Sequence, residues 1–514
     1  MSPPPSPSGE VAPQAGVKIG GRLDFKVLLI VTGCVLVFRL LAAGLIHLTE
    51  DEAYYRIWSL SPAFGYFDHP PMIAWWIWLG RHLAGDDSLG VRLLPVLSSA
   101  ATSLIVFDLA RLAGATDRAA ARAGVWFNAT LLTALGAMLA IPDAPASLFW
   151  QLTVWSVLRA QRNEKIWGEK VWAWWIAAGA AAGLACISKY SGLFLAPGVL
   201  LVLALTSRGR AQLKSPWPWL ACVIAAAIFG LNLEWNAQHH WLSFVKQFGR
   251  AAPHRLTANF ILEFVAGQLL LLNPLIAIFA VRALLRKPRW FDLDGAWLFA
   301  AFSAPFFAYL LLHSLHDRVQ AHWPSPLYPG LAICAALAAE HLKPGGWLAR
   351  LRWTVPIVGM GIATAALLYA MLPLESGKGD PAEAVRGWSD FGKRLDVLSA
   401  QRGAAWIGTV SYGEAAQLSL PHTVKAPVIE IGERDRYAIL SHPPTADLSK
   451  PGVVLDLKRR LTLPMLGQCF NNVTALGEID RTPDRHARYD VFLVSSAKQV
   501  VEGGCWAGDR IPAK

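Results

Sequence analysis

Eleven apolar runs, each roughly long enough to cross a hydrocarbon core about 30 Å thick, constrain the fold of this chain more than any other feature. Their boundaries are soft, so the count of eleven carries a range of ten to thirteen spans. Only 16% of the 514 residues are charged, whereas soluble domains carry about a quarter charged residues. The sequence therefore predicts a multi-spanning, all-α membrane protein. The predicted spans lie near 24–48, 89–112, 123–141, 144–160, 171–187, 192–206, 217–233, 259–281, 295–314, 324–339 and 353–373.

The distribution of Lys and Arg predicts how the spans are oriented. Clusters of these cations follow the second, fourth, sixth, eighth and tenth spans, whereas the alternate short loops hold only Lys189 and Arg318. Because cytoplasmic loops carry the excess of positive charge, we expect a cytoplasmic N-terminus and outward-facing odd-numbered loops. The net charge of +11 is spread over several loops rather than one patch, which argues against a nucleic-acid partner.

The unusual polar residues fall on the predicted outer side. The first outer loop, 49–88, opens with the segment TEDEAYYRIWSLSPAFGYFDHPP, and the later outer loops add further acids, cations and histidines. Carboxylates at a bilayer boundary are costly unless binding or chemistry uses them. We therefore expect these loops to converge on a single site. Its candidate catalytic residues are Asp51, Glu52 and Asp143, and its candidate substrate-binding residues are Tyr55, Asp68, His69, Lys189, Tyr190, Arg250, Arg255 and His322.

The residue types in this set suit a lipid phosphate. A phosphate needs cations that hold it and stabilise it as a leaving group, and a carboxylate can deprotonate an attacking hydroxyl. Simpler roles stay open for each residue. Asp51 and Asp143 could act only as helix caps, Lys189 could extend to the lipid headgroups, and His69 could hydrogen-bond within a turn.

The regions flanking the spans carry separate expectations. Residues 1–22 are rich in Pro and Ser, which predicts a disordered cytoplasmic tail before a transmembrane domain over 23–373. The Trp-rich segment 72–85 predicts a helix that lies in the membrane interface. Residues 374–514 mix an amphipathic helix with short strand-like runs, which predicts a soluble α/β domain.

An odd number of spans places this C-terminal α/β domain in the periplasm. Its two cysteines, Cys469 and Cys505, could pair in that oxidising compartment, or they could remain unpaired thiols. The cysteine and histidine spacing argues against a structural zinc site.

Five motifs together resemble those of a known family. In chain order they are DEAYYRIWSLSPAFGYFDHPPM, IPDAP, SKYSGLFLAPG, EWNAQHHWLSFVKQ and AHWPSPLYPG, within residues 25–340. This series is similar to that of the GT-C membrane glycosyltransferases, and within them to the protein O-mannosyltransferase, lipid A aminoarabinose transferase and Rgt-type galacturonosyltransferase group. The resemblance implies a GT-C fold, a polyprenyl-phosphate-linked sugar donor and inverting transfer at an outward-facing site in the bacterial inner membrane.

The resemblance also implies roles for individual residues. Asp51 matches the candidate catalytic base of the first loop, with Glu52 beside it in the same motif. Asp143 matches the acid that binds the acceptor or positions the first loop. Lys189 matches the lysine that contacts the lipid phosphate. A cell-envelope glycan, lipid A or a protein would be the acceptor.

One position departs from the aminoarabinose transferases. Asp68 and His69 stand where those enzymes carry Glu-Lys, and a neutral imidazole supplies no full charge near neutral pH. This difference argues against aminoarabinose and favours the galacturonosyl or mannosyl branch. A divalent metal held by Asp68 and an outer-loop histidine stays open. So do two other classes of protein, a lipid-sugar flippase and a periplasmic assembly factor.

Overall fold

The computed structural model describes residues 16–162, 170–249, 256–286, 288–289, 292–343, 345–372, 380–438, 440–441, 445–458, 460–482 and 487–498. Most of these residues are helical. The first helices are α1 (Gly16–Leu45), α2 (Glu50–Ser59), α3 (Met72–Ala84), α4 (Ser88–Leu112), α5 (Asp117–Ala129), α6 (Leu131–Gly136), α7 (Asp143–Arg162), α8 (Val171–Cys186) and α9 (Leu195–Leu205). The next are α10 (Ser207–Leu213), α11 (Trp217–Gln238), α12 (Leu242–Gly249), α13 (Asn259–Leu271), α14 (Pro274–Leu284), α15 (Gly295–His313), α16 (Tyr328–Glu340) and α17 (Trp347–Met371). Short 3-10 helices lie at Tyr190–Phe194, Ser325–Leu327 and Glu383–Val385.

Helix length and apolarity identify fewer spans than the eleven predicted. Five described helices, namely α1 from Asp24 onwards, α4, α11, α15 and α17, are long and apolar enough to cross a membrane. Two bent pairs pass the same test, Tyr190–Leu205 with α10 and α13 with α14, with bends of 114° and 104°. Several other predicted spans form short or broken helices. For example, Thr130 ends α5 and caps α6.

The flanking segments differ from the sequence-based boundaries in one respect. Helix α1 begins at Gly16 rather than at residue 23, so its first turns lie within the predicted tail. Residues 1–15 lie outside the described residues. The predicted interfacial segment forms α3, which carries exposed Trp78 and Leu83.

Small residues allow close packing between the helices. In α8, a Cβ on Gly179 would lie 2.5 Å from the carbonyl oxygen of Ala221 in α11. A Cβ on Gly183 would lie 2.8 Å from Cβ of Ile228 in the same helix. Glycines of this kind let two helix backbones approach in a membrane. The α8–α11 contact therefore depends on glycine at both positions.

The C-terminal part of the chain forms a mixed sheet with helices on its two faces. Its elements are α18 (Trp388–Gln401), β1 (Trp406–Thr409), α19 (Tyr412–Leu418), β2 (Val428–Glu430), α20 (Asp435–Ala438), β3 (Gly452–Leu457), α21 (Leu463–Cys469), β4 (Phe470–Asp480) and β5 (Arg488–Ala497). The strand order is β2-β1-β3-β5-β4. The β1 strand is parallel to β2 and β3, whereas β5 is antiparallel to β3 and β4. Helix α18 packs against one face and α21 against the other.

The first outer loop and the C-terminal part share one hydrophobic cluster. Tyr54 and Trp58 of α2 belong to the same buried cluster as Ala416, Leu420 and Tyr437. Burial of apolar surface stabilises contacts by about 25 cal/mol per Å². The C-terminal part therefore packs directly on the loop that carries five of the eleven candidate site residues.

Candidate active site

A capping box fixes the start of α2. Thr49 and Glu52 cap each other reciprocally, as residues three apart do at many helix N-termini. The Glu52 carboxylate also accepts a hydrogen bond from the Ala140 backbone at 2.9 Å and forms a fully buried ion pair with Arg92 at 2.6 Å. Burial opposes ionisation, but the Arg92 guanidinium outweighs it and lowers the pKa of Glu52. Glu52 thus ties the first outer loop to α4 and to the loop before α7.

Removal of Arg92 is expected to destabilise the protein strongly. The change Arg92→Met would leave Glu52 buried and charged without a partner, which costs about 3–5 kcal/mol. Thermal unfolding in detergent measures this change. Lys393→Met breaks an exposed ion pair with Asp390 and should cost less than about 1 kcal/mol. Equal losses in the two variants would show that the Arg92 pair does not hold the loop in place.

Asp51 lies in the first turn of α2, where solvent reaches it although protein surrounds it on most sides. The Tyr412 hydroxyl donates a hydrogen bond to its Oδ1 at 3.0 Å. Burial raises the pKa of Asp51, with smaller contributions from the charges of Asp68 and Glu52, while Tyr412 and His322 act in the opposite direction. A carboxylate with a raised pKa is a stronger proton acceptor.

Asp143 and Lys189 form a second pair. Asp143 begins α7, and Lys189 directly precedes the 3-10 helix Tyr190–Phe194. The Lys189 Nζ atom lies 2.7 Å and 2.8 Å from the two Asp143 oxygens. The Ser325 hydroxyl lies 3.4 Å from Asp143 Oδ1. Because an ammonium group has three donors, this contact leaves one for a further acceptor.

His322 joins the two acidic positions. Its Nε2 lies 3.6 Å from Asp143 Oδ2, and it also interacts electrostatically with Asp51. Burial, reinforced by the Lys189 charge, lowers the pKa of His322, although both carboxylates favour its protonation. The ring nitrogens of His322 can accept or donate a hydrogen bond, according to the protonation state of the imidazole.

Asp68 is engaged within the protein. Its Oδ2 accepts a hydrogen bond from the Tyr54 hydroxyl at 3.1 Å and forms an ion pair with Arg436. The ring of the neighbouring His69 lies edge-on to Tyr55, with ring centroids 6.2 Å apart. These contacts place Asp68 and His69 beside the site. The positive charge of Arg436 compensates the negative charge of Asp68.

The two predicted tyrosines occupy different places. Burial raises the pKa of Tyr55, and the nearby charges of Asp51, Asp68 and Asp143 raise it further. Tyr55 therefore lies among the three candidate acids. Tyr190 instead donates a hydrogen bond to Asn232 of α11 at 3.1 Å.

Some predicted residues lie outside the described part of the chain. These are Arg250, Arg255 and Cys505. Cys469 is in a disulfide bond, and its pairing with Cys505 stays a prediction. Among the described residues, no group of three or more His, Cys, Asp or Glu side chains could hold a metal ion.

Two cavities adjoin the site. The first, with an empty volume of about 680 Å³, has Asp143, His322 and Ser325 in its wall and extends along α4 as far as Thr102. The second, of about 1010 Å³, has a mainly apolar wall formed by α8, α9 and α11. This apolar groove includes Gly192, three residues after Lys189. The first cavity thus includes residues of the site, and the apolar groove approaches the site near Gly192.

Sequence reasoning missed three contributors to the site. The only sequence feature that pointed to Arg92 was the presence of a charged residue inside an apolar run. Tyr412 and Arg436 come from the C-terminal part, more than 360 positions from the acids that they contact. The Thr49–Glu52 capping box was visible in the letters TEDE and could have identified Glu52 as structural.

Comparisons with known proteins find similar glycosyltransferases. A family model described as dolichyl-phosphate-mannose-protein mannosyltransferase matches residues 68–235, which include Asp143 and Lys189. The lipid A galacturonosyltransferase RgtD of Rhizobium johnstonii is 26% identical over 321 residues, 59% of this chain and 61% of that protein. A polyprenol-phosphate-mannose–protein mannosyltransferase of Mycolicibacterium smegmatis is 27% identical over 216 residues, 35% of this chain and 42% of its own length. Both alignments span less than two thirds of the relative.

A solved structure shows the same fold over nearly the whole chain. ArnT from Cupriavidus metallidurans, crystallised with undecaprenyl phosphate, superposes with a TM-score of 0.66 at 16% identity. The superposition covers 91% of this chain and 98% of ArnT. The apo crystal structure of ArnT gives 0.65. The family model, the Rgt-type relative and this shared fold together make the chain similar to the GT-C membrane glycosyltransferases.

Proposed function

We propose that this protein transfers a sugar from a polyprenyl-phosphate donor to a hydroxyl of a cell-envelope acceptor. The observation that carries the proposal is the juxtaposition of a carboxylate with a raised pKa, Asp51, and a lysine–carboxylate pair, Lys189–Asp143. His322 interacts with both acidic positions. One group can take a proton while the other holds a phosphate, as sugar transfer requires.

The apolar groove suits the donor's lipid tail. Its wall runs along α8, α9 and α11 and includes Trp175, Cys222 and Phe229. A polyprenyl chain in this groove would bring its phosphate towards the start of the 3-10 helix that follows Lys189. The third ammonium donor of Lys189 would then bind the phosphate while Asp143 holds the other two.

The reaction steps follow from these positions. The acceptor hydroxyl oxygen attacks the anomeric carbon, and its proton passes to the Asp51 carboxylate. The bond from the anomeric carbon to the phosphate oxygen breaks, and the lipid phosphate leaves as an anion held by Lys189. Attack opposite the leaving group inverts the anomeric centre. Because a lipid phosphate leaves readily, positioning and charge neutralisation supply most of the rate.

Glu52 has a positioning role in this proposal rather than the catalytic role that we predicted from the sequence. Its carboxylate is fully buried and engaged by Arg92, Thr49 and Ala140. Taking up a substrate proton would break the buried ion pair. Glu52 instead holds α2 so that Asp51 faces the site.

The membrane orientation belongs to the same proposal. Eleven spans with a cytoplasmic N-terminus would place the first outer loop in the periplasm, with a periplasmic α/β domain over residues 374–514. The contact between Tyr412 and Asp51 supports placing the loop and that domain on the same side of the membrane. The acceptor is then a periplasmic glycan, lipid A or a protein.

The donor class is narrowed by Asp68 and His69. Position 69 holds a histidine where the aminoarabinose transferases carry a lysine, so the sequence gives no reason to expect aminoarabinose as the donor sugar. The named relatives transfer galacturonate or mannose. We therefore propose a uronic acid or a neutral hexose as the donor sugar.

Reconstitution tests the proposal. Purified protein in liposomes is supplied with polyprenyl-phosphate galacturonate or polyprenyl-phosphate mannose, together with lipid A or a core oligosaccharide. Transfer from one lipid-linked sugar, but not from the matching nucleotide sugar, is the expected result. If the lipid-linked sugar crosses the bilayer intact and no glycoside forms, the protein is a flippase.

A further inference from the structure

The carboxyl edge of the C-terminal sheet faces the candidate site. Helix α19 follows β1 and α20 follows β2, and these parallel strands end at the same edge. The chain places β2 and β3 on opposite sides of β1, which makes this edge a topological switch point. In α/β proteins, ligands bind in the crevice at such a point. Here α2 of the first outer loop packs against that edge through α19.

Tyr412, the first residue of α19, is held in place from several sides. Its backbone oxygen accepts a hydrogen bond from Tyr437 at 2.8 Å, and its ring packs against Tyr54 with centroids 4.9 Å apart. The adjacent Gly413 approaches α2 so closely that a Cβ there would lie 2.6 Å from a Glu50 oxygen. The Tyr412 hydroxyl is therefore fixed against Asp51.

Arg436, in α20, binds Asp68, another acid of the first outer loop. Its guanidinium forms ion pairs with Asp68 and with Glu433. Its central carbon also lies 4.3 Å from the centroid of the Tyr412 ring. The same arginine thus neutralises Asp68 and covers the tyrosine that contacts Asp51.

We propose that Tyr412 and Arg436 are positioning residues of the transferase site, supplied by the C-terminal sheet to hold Asp51 and Asp68. The inference rests on the proposed function. It assigns to the C-terminal part a role in the reaction. Without the sheet, the helical part would lack the contacts that fix the position and the pKa of Asp51.

The contacts of Asp51 predict the direction in which its pKa changes when the Tyr412 hydroxyl is removed. The Tyr412 hydroxyl donates to the ionised carboxylate, so it favours ionisation and opposes the effect of burial. His322 also favours ionisation, whereas the acids Asp68 and Glu52 oppose it. Two further groups face Asp51 from α2, the Glu50 carboxyl and the Tyr55 hydroxyl. Loss of the Tyr412 hydroxyl therefore raises the pKa of Asp51 further.

Tyr412→Phe tests this role through the pH dependence of kcat in reconstituted full-length protein. The acidic limb, where Asp51 becomes protonated, should move to higher pH by about one unit, with a rate loss of roughly tenfold on that limb and recovery at alkaline pH. Tyr489→Phe is the matched control, since Tyr489 lies buried in β5 and packs on Phe391. An unshifted profile for Tyr412→Phe, or a loss equal at every pH, overturns the inference.

A second measurement needs no substrate. Infrared titration of the protein follows the carboxyl band that is missing from Asp51→Asn, and that band should titrate at higher pH in Tyr412→Phe. Arg436→Gln should shift it in the same direction by exposing Asp51 to the unneutralised Asp68 charge, and Arg436→Lys should shift it less. Absence of both shifts overturns the inference even if wild-type protein transfers sugar. Both shifts in a protein that transfers no sugar would contradict the proposed function alone.

Discussion

Asp51→Asn is expected to lower the rate of sugar transfer about 10²- to 10⁴-fold, the range that a positioned general base supplies. The amide has nearly the same shape as the carboxylate, and its oxygen can still accept the hydrogen bond from Tyr412. It cannot take up a proton from the attacking hydroxyl. Initial rates in liposomes measure the effect, and thermal unfolding shows whether the variant folds normally.

The neighbouring acid provides the matched control for this change. Glu50 also lies in the first turn of α2, and burial raises its pKa to about 7, but its carboxyl lies against Gly413 of α19 and has no part in the proposed mechanism. Glu50→Gln should retain most of the activity. Near-normal transfer by Asp51→Asn, or an equal loss in both variants, would remove the assignment of Asp51 as the base.

Lys189→Met is expected to have two separate effects. It removes the ammonium group that would stabilise the leaving phosphate, which should lower the rate about 10²- to 10³-fold. It also leaves Asp143 buried without its cation, which should cost about 3–5 kcal/mol of stability. The first effect is measured as kcat/KM for the lipid-linked donor and the second as the free energy of unfolding.

A double mutant separates these effects. Asp143→Asn combined with Lys189→Met removes both charges, so stability should return towards that of the wild type while activity stays low. Lys189→Arg keeps the charge and should retain more activity than Lys189→Met. Recovery of transfer in the double mutant would mean that Lys189 serves only to balance Asp143.

The sequence was sufficient to single out Asp143 and Lys189 as candidate site residues, because ionisable side chains at the ends of membrane spans are energetically costly. Asp143 and Lys189 stood out at the ends of apolar runs, and the pattern of basic loops placed them on one side. The structure brings these two side chains into contact. Positional arguments of this kind are local, and they need no knowledge of which helices pack together.

The remaining features depend on long-range packing that no local pattern encodes. The hydrogen bond from Tyr412 to Asp51 joins residues 361 positions apart. Tyr190 lies next to Lys189 in sequence, yet the 3-10 turn directs its hydroxyl to Asn232. The bends after α9 and α13 could not be predicted from the sequence either, because hydropathy does not report the direction of a helix.

Mass spectrometry of envelope glycans tests the central claim most directly. Cells lacking the gene are compared with cells that carry the wild-type gene or the Asp51→Asn variant. The account predicts that one sugar mass is lost from a defined glycan, returns with the wild-type gene and does not return with the variant. Unchanged glycans in all three strains, with a polyprenyl-phosphate sugar redistributed between the leaflets, would contradict it.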